Sequence, residues 1–288
     1  MKTSKLFART LLATSVVSLA ACANVGGSSA ELTNKEKAVA VISSIETGDQ
    51  TAVSYINAES YTQHNLAVAD GLAGFGEVLH ALPKGSAKAQ VKRALQDGDY
   101  VVTHTDYNFF GPKVGFDVFR FENGKIVEHW DNLQEIAPAN PSGRTQLDGP
   151  TEITDLDKTE ANKAIVADFV DTILMKGDMA QINQFIANDD EAYRQHNPMV
   201  ADGLSGLGQA LEALAKAGTP MQYKANHKIL GEGNFVLSIS EGIFLGKDVA
   251  FYDLFRLDNG MIVEHWDTIE NIPPRSEWKN DNGKFGFQ

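Results

Sequence analysis

In each half of this 288-residue chain, hydrophobic residues first recur at helical spacing and then alternate with polar residues as in strands. The same order of patterns therefore occurs twice. Apolar residues at helical spacing predict a long helix over 34–47 in the first half and over 157–176 in the second. Each helix ends at a Gly-Asp pair. We predict a second short helix at 51–56 and 179–186, then a short strand, then a helix that begins near Asp70 or Asp202.

The remainder of each half is rich in strands. In the first half, alternation of apolar and polar residues predicts four of them, with counterparts in the second half: 89–95, 100–109, 115–121 and 125–133. Helices at the start and antiparallel strands at the end are typical of the α+β class, in which a curved sheet packs against its helices. Such a sheet can leave a concave pocket at its open end.

Direct sequence identity between the halves supports a tandem duplication. Residues 60–82 match 192–214, and residues 116–138 match 252–274, including the hexapeptide IVEHWD in both copies. A unit of about 110 residues has the size of a small domain. We therefore predict these segments: a first domain at 32–136, a linker rich in Pro and Gly at 137–155, a second domain at 156–274 and a polar tail at 275–288.

The N-terminal residues have the features of a targeting segment. Lys2, Lys5 and Arg9 precede an apolar run over 11–21 that is shorter than the roughly 20 residues of a membrane-spanning helix, which predicts a signal peptide at 1–21. The sequence Leu-Ala-Ala-Cys that ends at Cys22 resembles the lipobox of bacterial lipoproteins. This resemblance implies lipidation of Cys22, a tether at 22–31 and an outer-membrane lipoprotein facing the periplasm; ordinary secretion is the alternative.

The composition limits the classes of molecule that we expect this chain to bind. Cys22 is the only cysteine, so no disulfide can form within the chain. The net charge of −13 argues against nucleic-acid binding and against attraction to anionic lipid headgroups. Membrane attachment would then depend on the lipid. A homo-oligomer and pairing of the two domains within the chain are both compatible with the sequence.

Four ordered motifs occur in each half: Y-x-Q-H-N, V-A-D-G, D-x-F-R and N-G-x-I-V-E-H-W-D. Together they resemble SnoaL-like domains of the nuclear transport factor 2-like superfamily, which includes sequences described as aldol-condensation catalysts. The resemblance implies a cone-shaped α+β barrel with a deep pocket and, for the polyketide cyclases, aldol cyclisation by acid-base groups without a cofactor. The same fold also hosts binding proteins and inactive domains.

The turn at Asn123 and Gly124 determines which side chains of the last hairpin share a face, because a slip of one residue reverses the alternation. A two-residue turn would place Asp117 and Phe119 with Glu128 and Trp130. A three-residue turn with a bulge would place them with Val127, His129 and Asp131. Both alternatives keep Asp117 beside phenylalanines.

Asp117 is the leading candidate for an acid-base group, with Asp253 as its counterpart. Poor solvation beside aromatic rings raises the pKa of a carboxyl group and suits it to proton transfer near neutral pH. The resemblance points the same way, since the cyclases use an aspartate on a barrel strand. The alternative is a rim carboxylate that binds loop backbone, Arg120 or Arg256.

The histidines of both motifs are further catalytic candidates: His129, His265, His64 and His196. An imidazole can transfer protons near neutral pH. If His64 and His129 converge on Asp117, an acid and a base could flank a bound carbonyl compound. The alternatives are a histidine bound within the sheet or on its outer face for His129, and a polar group that braces the turn for His64.

We expect the pocket walls to include the other aromatic and acidic residues of these hairpins: Trp130, Phe119, Glu128, Trp266, Phe255 and Glu264. His104 lies near where the cyclases carry a second active-site histidine. Its counterpart is Ile239, so we expect unequal pockets, with the first better equipped and the second limited to binding.

No nucleotide-binding, serine-hydrolase or other cofactor motif is present in the sequence, and we predict no cofactor. No local histidine spacing supports a metal site. The expected ligand is a small organic carbonyl compound, and the expected reaction is aldol condensation, cyclisation or isomerisation. A non-catalytic binding or scaffold protein is the alternative.

Overall fold

The computed structural model describes residues 31–82, 85–187 and 193–287. The predicted signal peptide, Cys22 and nearly all of the predicted tether lie outside the described residues. Residues Leu32–Gln288 form one compact unit that contains both repeats. None of the helices in the described ranges combines the length and the apolar character that crossing a bilayer requires.

The α+β class predicted from the sequence is confirmed, and each repeat combines helices with a five-stranded sheet whose short first strand precedes the last helix. The elements of the first repeat are α1 (Asn34–Thr47), α2 (Gln50–Val53), β1 (Thr62–Gln63), α3 (Gly71–Ala81), β2 (Lys88–Asp97), β3 (Tyr100–Asn108), β4 (Pro112–Glu122) and β5 (Lys125–Glu135). Those of the second are α4 (Thr159–Phe169), β6 (Arg194–Gln195), α5 (Gly203–Lys216), β7 (Gln222–Glu232), β8 (Phe235–Phe244), β9 (Lys247–Asp258) and β10 (Met261–Asn271).

Local sequence explains the ends of α1. Thr33 accepts a hydrogen bond from the backbone of Glu36, whose side chain binds the backbone of Thr33 in return, forming a capping box. Gly48 ends the helix at φ +71°, a conformation that favours glycine. In the second repeat, α4 continues into a π-helical stretch, Val170–Met175, and a 3₁₀ helix follows at Met179–Gln184.

Both sheets have the same strand order. The orders are β1-β5-β4-β3-β2 and β6-β10-β9-β8-β7. All pairs are antiparallel except the two that involve the short first strand, so β1 runs parallel to β5 and Gln63 lies opposite His129. The Y-x-Q-H-N motif is thereby fixed beside the E-H-W-D motif.

The two faces of each sheet bury different cores. One face packs against the helices of its own repeat. In the first repeat, Val41 on α1 belongs to one apolar cluster with Phe119 and Ile126 of the sheet. The opposite face packs against the other repeat, in a central cluster that contains Trp130 and Trp266. The repeats therefore share their central core.

Two irregular segments cross between the repeats. The linker arm, residues 140–149, packs on the second sheet, and the side-chain amide of Asn140 donates to the carbonyl oxygen of Gln195 at 2.6 Å. The C-terminal arm, residues 280–287, packs on the first sheet, where Asn280 donates to the carbonyl oxygen of Asn65 at 2.7 Å. Each repeat is thus covered by the segment that follows the other repeat's last strand.

Lys284 anchors the C-terminal arm. Its ammonium group is buried, binds the carboxylate of Glu270 on β10 and lies 3.7 Å from Oδ1 of Asp131 on β5. Burial alone would lower the pKa of Lys284, but the charges of Glu270 and Asp131 raise it above its ordinary value. This buried cation links the two last strands through the arm.

Removing this cation should destabilise the fold. Lys284→Met leaves the buried Asp131 and the half-buried Glu270 without their charge partner, and breaking such a pair costs about 3 kcal/mol of unfolding free energy. The measurement is urea denaturation at pH 7. Lys279→Met, at an exposed position on the approach to the same arm, is the control and should change stability by less than about 0.5 kcal/mol.

Adding Glu270→Gln to Lys284→Met should restore part of the lost stability, because one unpaired, half-buried charge is then removed. Equal stability of the Lys284→Met and Lys279→Met variants would contradict the anchoring role.

Candidate functional site

A single extra residue in the β4–β5 hairpin decides which side chains face the helices. Asn123 and Gly124 form a two-residue turn with φ of +49° and +72°. Beyond it, Val127 has no partner on β4, and this bulge brings Phe119 opposite His129. The turn therefore has two residues, as in the first alternative. The side chains that share a face are those of the second alternative, because Asp117 and Phe119 lie with His129 and Asp131.

The second repeat has the same arrangement. Asn259 and Gly260 form the turn, Val263 is the extra residue, and Phe255 lies opposite His265. The duplicated hairpin is thus preserved together with its bulge.

A cavity of about 270 Å³ lies between the helices and the sheet in each repeat. Its walls are mostly apolar, and polar side chains gather at one end. Polar cluster 1 consists of Tyr61, Gln63, Tyr107, Asp117, His129 and Asp131. Polar cluster 2 consists of Tyr193, Gln195, Tyr223, Asp253, His265 and Asp267.

Asp117 is the centre of polar cluster 1. It is 4% exposed, and its Oδ2 accepts hydrogen bonds from Tyr107 at 2.6 Å and from Thr103 at 3.3 Å. Its Oδ1 lies 3.2 Å from Nε2 of His129, which is 9% exposed. The predicted pairing of Asp117 with His129 at a cavity is therefore present in the structure.

Gln63 determines which ring nitrogen of His129 carries a proton. The backbone N–H of Asn65 donates to Oε1 of Gln63 at 2.8 Å, which identifies that atom as the amide oxygen. His129 Nδ1 lies 3.0 Å from the same oxygen and must donate to it. Nε2 is then the nitrogen that shares a proton with Asp117.

Polar cluster 2 repeats this geometry. His265 Nδ1 lies 3.0 Å from Oε1 of Gln195, and His265 Nε2 lies 3.1 Å from Oδ1 of Asp253. Tyr223 donates its hydroxyl to the Asp253 carboxylate at 3.1 Å. The second site consequently has the same acid-base groups as the first.

The tyrosine that donates to the aspartate comes from different strands in the two repeats. Tyr107 is on β3, beside Gly115, where a Cβ atom would lie only 3.0 Å from the tyrosine ring. In the second repeat Gly242 replaces this tyrosine and Phe251 replaces this glycine. Phe251 stacks on Tyr223 of β7 at 4.3 Å. Two different packing solutions supply the same hydroxyl group.

Burial sets the protonation behaviour of these groups. It raises the pKa of Asp117 and of Asp267, although hydrogen bonding to Asp117 and the charge of His265 near Asp267 act in the opposite direction. For His265, burial alone would lower the pKa, but the hydrogen bond to Asp253 and the charges of Asp267 and Asp253 raise it.

The same side chains could also hold a cation. One donor atom from each of Asp117, His129 and Asp131 lies within 4.8 Å of the others, and the same holds for Asp253, His265 and Asp267. The sequence spacing did not lead us to expect this, because the donors come from two neighbouring strands. One oxygen each of Asp131 and Asp267 is buried without a hydrogen-bond partner.

His64 and His196 lie on the opposite face of their sheets, so the predicted convergence of His64 on Asp117 is wrong. His64 binds Glu128 at 2.9 Å through Nε2 and the carbonyl oxygen of Gly283 at 2.7 Å through Nδ1. His196 binds Glu264 and the carbonyl oxygen of Thr145 in the same way. Both histidines therefore fit the alternative of a polar group that braces the turn. Each also binds a backbone carbonyl oxygen of an arm.

Four expected wall residues are absent from the lining of both cavities for the same reason: Trp130, Glu128, Trp266 and Glu264. The bulge turns them toward the other repeat. Trp130 stacks between His64 at 4.6 Å and Phe287 at 4.3 Å, and its indole N–H donates to the carbonyl oxygen of Phe285. Phe119 and Phe255 do line the cavities, as predicted.

Glu128 and His104 have structural partners on this central face. Arg120 binds Glu128 at 2.6 Å; burial alone would raise the pKa of Glu128, but His64 and Arg120 lower it. His104 stacks on Phe116 at 4.4 Å and lies 3.0 Å from Arg93, so it is not a wall of the first cavity. Its replacement by Ile239 consequently does not make the cavities unequal in acid-base groups.

Sequence reasoning overlooked residues that the structure places at the polar ends: Tyr61, Gln63 and Tyr107, with Tyr193, Gln195 and Tyr223 in the second repeat. Asp131 was placed on this face only in the bulged alternative, and neither Asp131 nor Asp267 was a predicted site residue. A signal was available for some of them. In Y-x-Q-H-N the tyrosine and glutamine are two residues apart and so share a face, while the histidine that follows the glutamine points to the other face.

A family model described as a SnoaL-like domain matches residues 38–129. The comparison with curated proteins gives no significant match.

Similar solved structures include TsrD from Streptomyces laurentii, with 17% identity, a TM-score of 0.31 and coverage of 36% of this chain and 92% of that chain. IdmH from Streptomyces antibioticus, a proposed polyketide cyclase, has 18% identity, a TM-score of 0.32 and coverage of 36% and 93%. A proposed ketosteroid isomerase from Kribbella flavida has 14% identity, a TM-score of 0.33 and coverage of 41% and 84%.

The raised pKa of Asp267 predicts a specific pH dependence of stability. A carboxyl group whose pKa is higher in the folded state favours folding while it is protonated. That contribution is lost as the pH rises from about 3.9 through the raised value. Asp267→Asn should therefore lose less stability than the unmodified chain across this window.

The measurement is urea denaturation at a series of pH values from 4 to 8, with the exposed Asp157→Asn as the control. Parallel pH profiles for the unmodified chain and Asp267→Asn would contradict the prediction.

Proposed function

We propose that this chain, whose residues 38–129 match the model of a SnoaL-like domain, binds a small organic carbonyl compound in each repeat and transfers a proton next to the carbonyl group without a cofactor. The reaction class is aldol condensation, cyclisation or isomerisation. The observation that carries the proposal is the buried Asp117–His129 pair at the polar end of an apolar cavity, repeated as Asp253 and His265.

The pair can accept a proton from carbon and return it. Burial raises the pKa of Asp117, and a raised pKa makes its carboxylate a stronger base. The proton leaves the α-carbon of the ligand for the carboxylate, and the bonding electrons move to the carbonyl oxygen. His129 receives or supplies the shared proton through Nε2, while Gln63 holds the ring in place.

Enolate formation also needs a donor to the developing oxyanion. Tyr61 lines the cavity and accepts a hydrogen bond from Nε2 of Gln63 at 3.3 Å, which leaves its own hydroxyl hydrogen available to a ligand. Burial raises the pKa of Tyr61, so the hydroxyl stays protonated at neutral pH and can donate. Tyr193 occupies the same position in the second repeat.

The cavity supports a small ligand. A volume of about 270 Å³ lies just below the usual range of roughly 300–1,000 Å³ for small-molecule pockets. Apolar walls exclude water from the carbonyl group and strengthen the hydrogen bonds made to it.

Exchange of α-hydrogen for deuterium in a methyl ketone tests this chemistry directly. We expect the chain to accelerate exchange of 2-nonanone and 2-acetylnaphthalene in D₂O, followed by NMR. The Asp117→Asn, Asp253→Asn double variant should reduce the rate about 100-fold or more, because a positioned general base contributes roughly 10²- to 10⁴-fold. Asp157→Asn is the control. Exchange that survives the double substitution would eliminate these aspartates as the base.

A non-catalytic binding function is the second candidate, and one observation favours it. The Asp117 carboxylate already accepts hydrogen bonds from Thr103 and Tyr107 and faces His129, so its polar contacts are made within the protein. Saturable ketone binding without any accelerated exchange in the unmodified chain would support this function.

We also propose that the chain is an outer-membrane lipoprotein facing the periplasm, with lipid on Cys22. The support is the lipobox-like Leu-Ala-Ala-Cys that ends at Cys22, the basic residues before it and the absence of any other cysteine from the sequence. The acidic composition leaves the lipid as the attachment to the membrane.

Cys22→Ser tests the attachment. We expect the variant to leave the membrane fraction for the soluble periplasmic fraction on cell fractionation, since the sulfur that would carry the lipid is gone. An equal amount in the membrane fraction before and after the substitution would contradict the lipid anchor.

A further inference from the structure

The two cavities differ in their walls, although their polar clusters are alike. The first is lined by aromatic rings around its polar end: Phe75 on α3, Phe109 and Phe110 after β3, Phe119 on β4 and Tyr107. Tyr107 and Phe109 meet edge to face at 5.0 Å, and Phe109 and Phe110 do so at 6.4 Å. Phe110 is 64% exposed and lines the first cavity from its solvent side.

The second cavity is lined mainly by flexible aliphatic side chains: Leu174, Met179, Leu207, Leu211, Leu214 and Met221. Three of them lie on α5, which runs to Lys216. Methionine side chains are unbranched and flexible, so together with the leucines they form an aliphatic wall that can adapt to a chain-like ligand.

Matched positions on α3 and α5 make the contrast direct. Phe75 corresponds to Leu207, and Val78 corresponds to Ala210; all four side chains line their cavities. At the end of β8, Phe244 and Leu245 occupy the positions of Phe109 and Phe110 but do not line the second cavity. The wall chemistry therefore changes while the cavity volume stays the same.

We infer that the repeats select different carbonyl compounds: the first binds a planar aromatic ketone or aldehyde, and the second binds a flexible aliphatic one. The carbonyl assignment rests on the proposed function, whereas the aromatic and aliphatic preferences rest on the walls. Ring faces and edges in the first cavity stack on a flat ligand, and each such contact contributes about 0.5 to 1.5 kcal/mol beyond burial. The second cavity offers fewer rings and more adaptable surface.

Two ketones with the same methyl-carbonyl group test the selection: 2-acetylnaphthalene, which is planar and aromatic, and 2-nonanone, which is linear and aliphatic. Binding of each to the full chain is measured by titration calorimetry. Val78→Trp fills the first cavity and Ala210→Trp fills the second, at matched positions on partly exposed helix faces.

We expect Val78→Trp to abolish high-affinity binding of 2-acetylnaphthalene and to leave 2-nonanone binding unchanged, and Ala210→Trp to do the reverse. Loss of both ligands in one variant, the opposite pairing, or no binding of either ketone to the unmodified chain would overturn the inference. Circular dichroism and urea denaturation identify a variant that has failed to fold.

Milder exchanges of the wall residues give a second test that does not depend on filling a cavity. Phe75→Leu should weaken 2-acetylnaphthalene binding about 3- to 10-fold, and Leu207→Phe should strengthen its binding to the second cavity by a similar factor. No change in either affinity would overturn the inference.

Failure of this inference and failure of the proposed function are distinguishable. Selective binding without deuterium exchange would support the selectivity inference and contradict the proposed catalysis. Exchange of both ketones at both sites with equal affinities would support the catalysis and contradict the selectivity inference.

Discussion

The extra residue in each β-hairpin is the constraint on which the two sites depend. Val127 and Val263 interrupt the alternation of β5 and β10 after the Asn-Gly turns, and every side chain beyond them changes face. His129 therefore enters the cavity, and Trp130 enters the central core. The hexapeptide IVEHWD consequently serves two purposes, with its histidine and aspartate facing the cavity and its glutamate and tryptophan facing the other repeat.

The central face explains why the repeats belong together. Trp130 and Trp266 lie in one shared apolar cluster, and each indole N–H donates to an arm that follows the other repeat's last strand. Asn132 on β5 donates to the carbonyl oxygen of Ala250 and to Thr268 in the second sheet. These contacts fix the central faces of the two sheets against each other, and the cavities on the opposite faces keep two buried acid-base pairs in position.

The period of the hydrophobic residues and the internal duplication made much of the fold predictable from the sequence. The helix over 34–47, the run of four strands and the hairpin turn follow from local patterns that agree with the fold. The bulge was less predictable, because Val127 is an ordinary strand residue and only the pairing shows that it lacks a partner. The place of His64 was missed for a related reason: its partner, the carbonyl oxygen of Gly283, lies 219 residues away along the chain. The arms were predicted to be linker and tail because Asn140 and Asn280 donate to backbone carbonyl oxygens of the other repeat, and these acceptors carry no sequence signal.

A crystal structure with a bound methyl ketone tests the central claim most directly. The account predicts a ketone inside the first cavity, with its carbonyl oxygen within hydrogen-bond distance of the Tyr61 hydroxyl and its α-carbon facing the Asp117–His129 pair. A corresponding pose beside Asp253 and His265 is expected in the second cavity. A ketone bound on the central face near His64, or one whose carbonyl group points away from Asp117 toward solvent, would contradict the account.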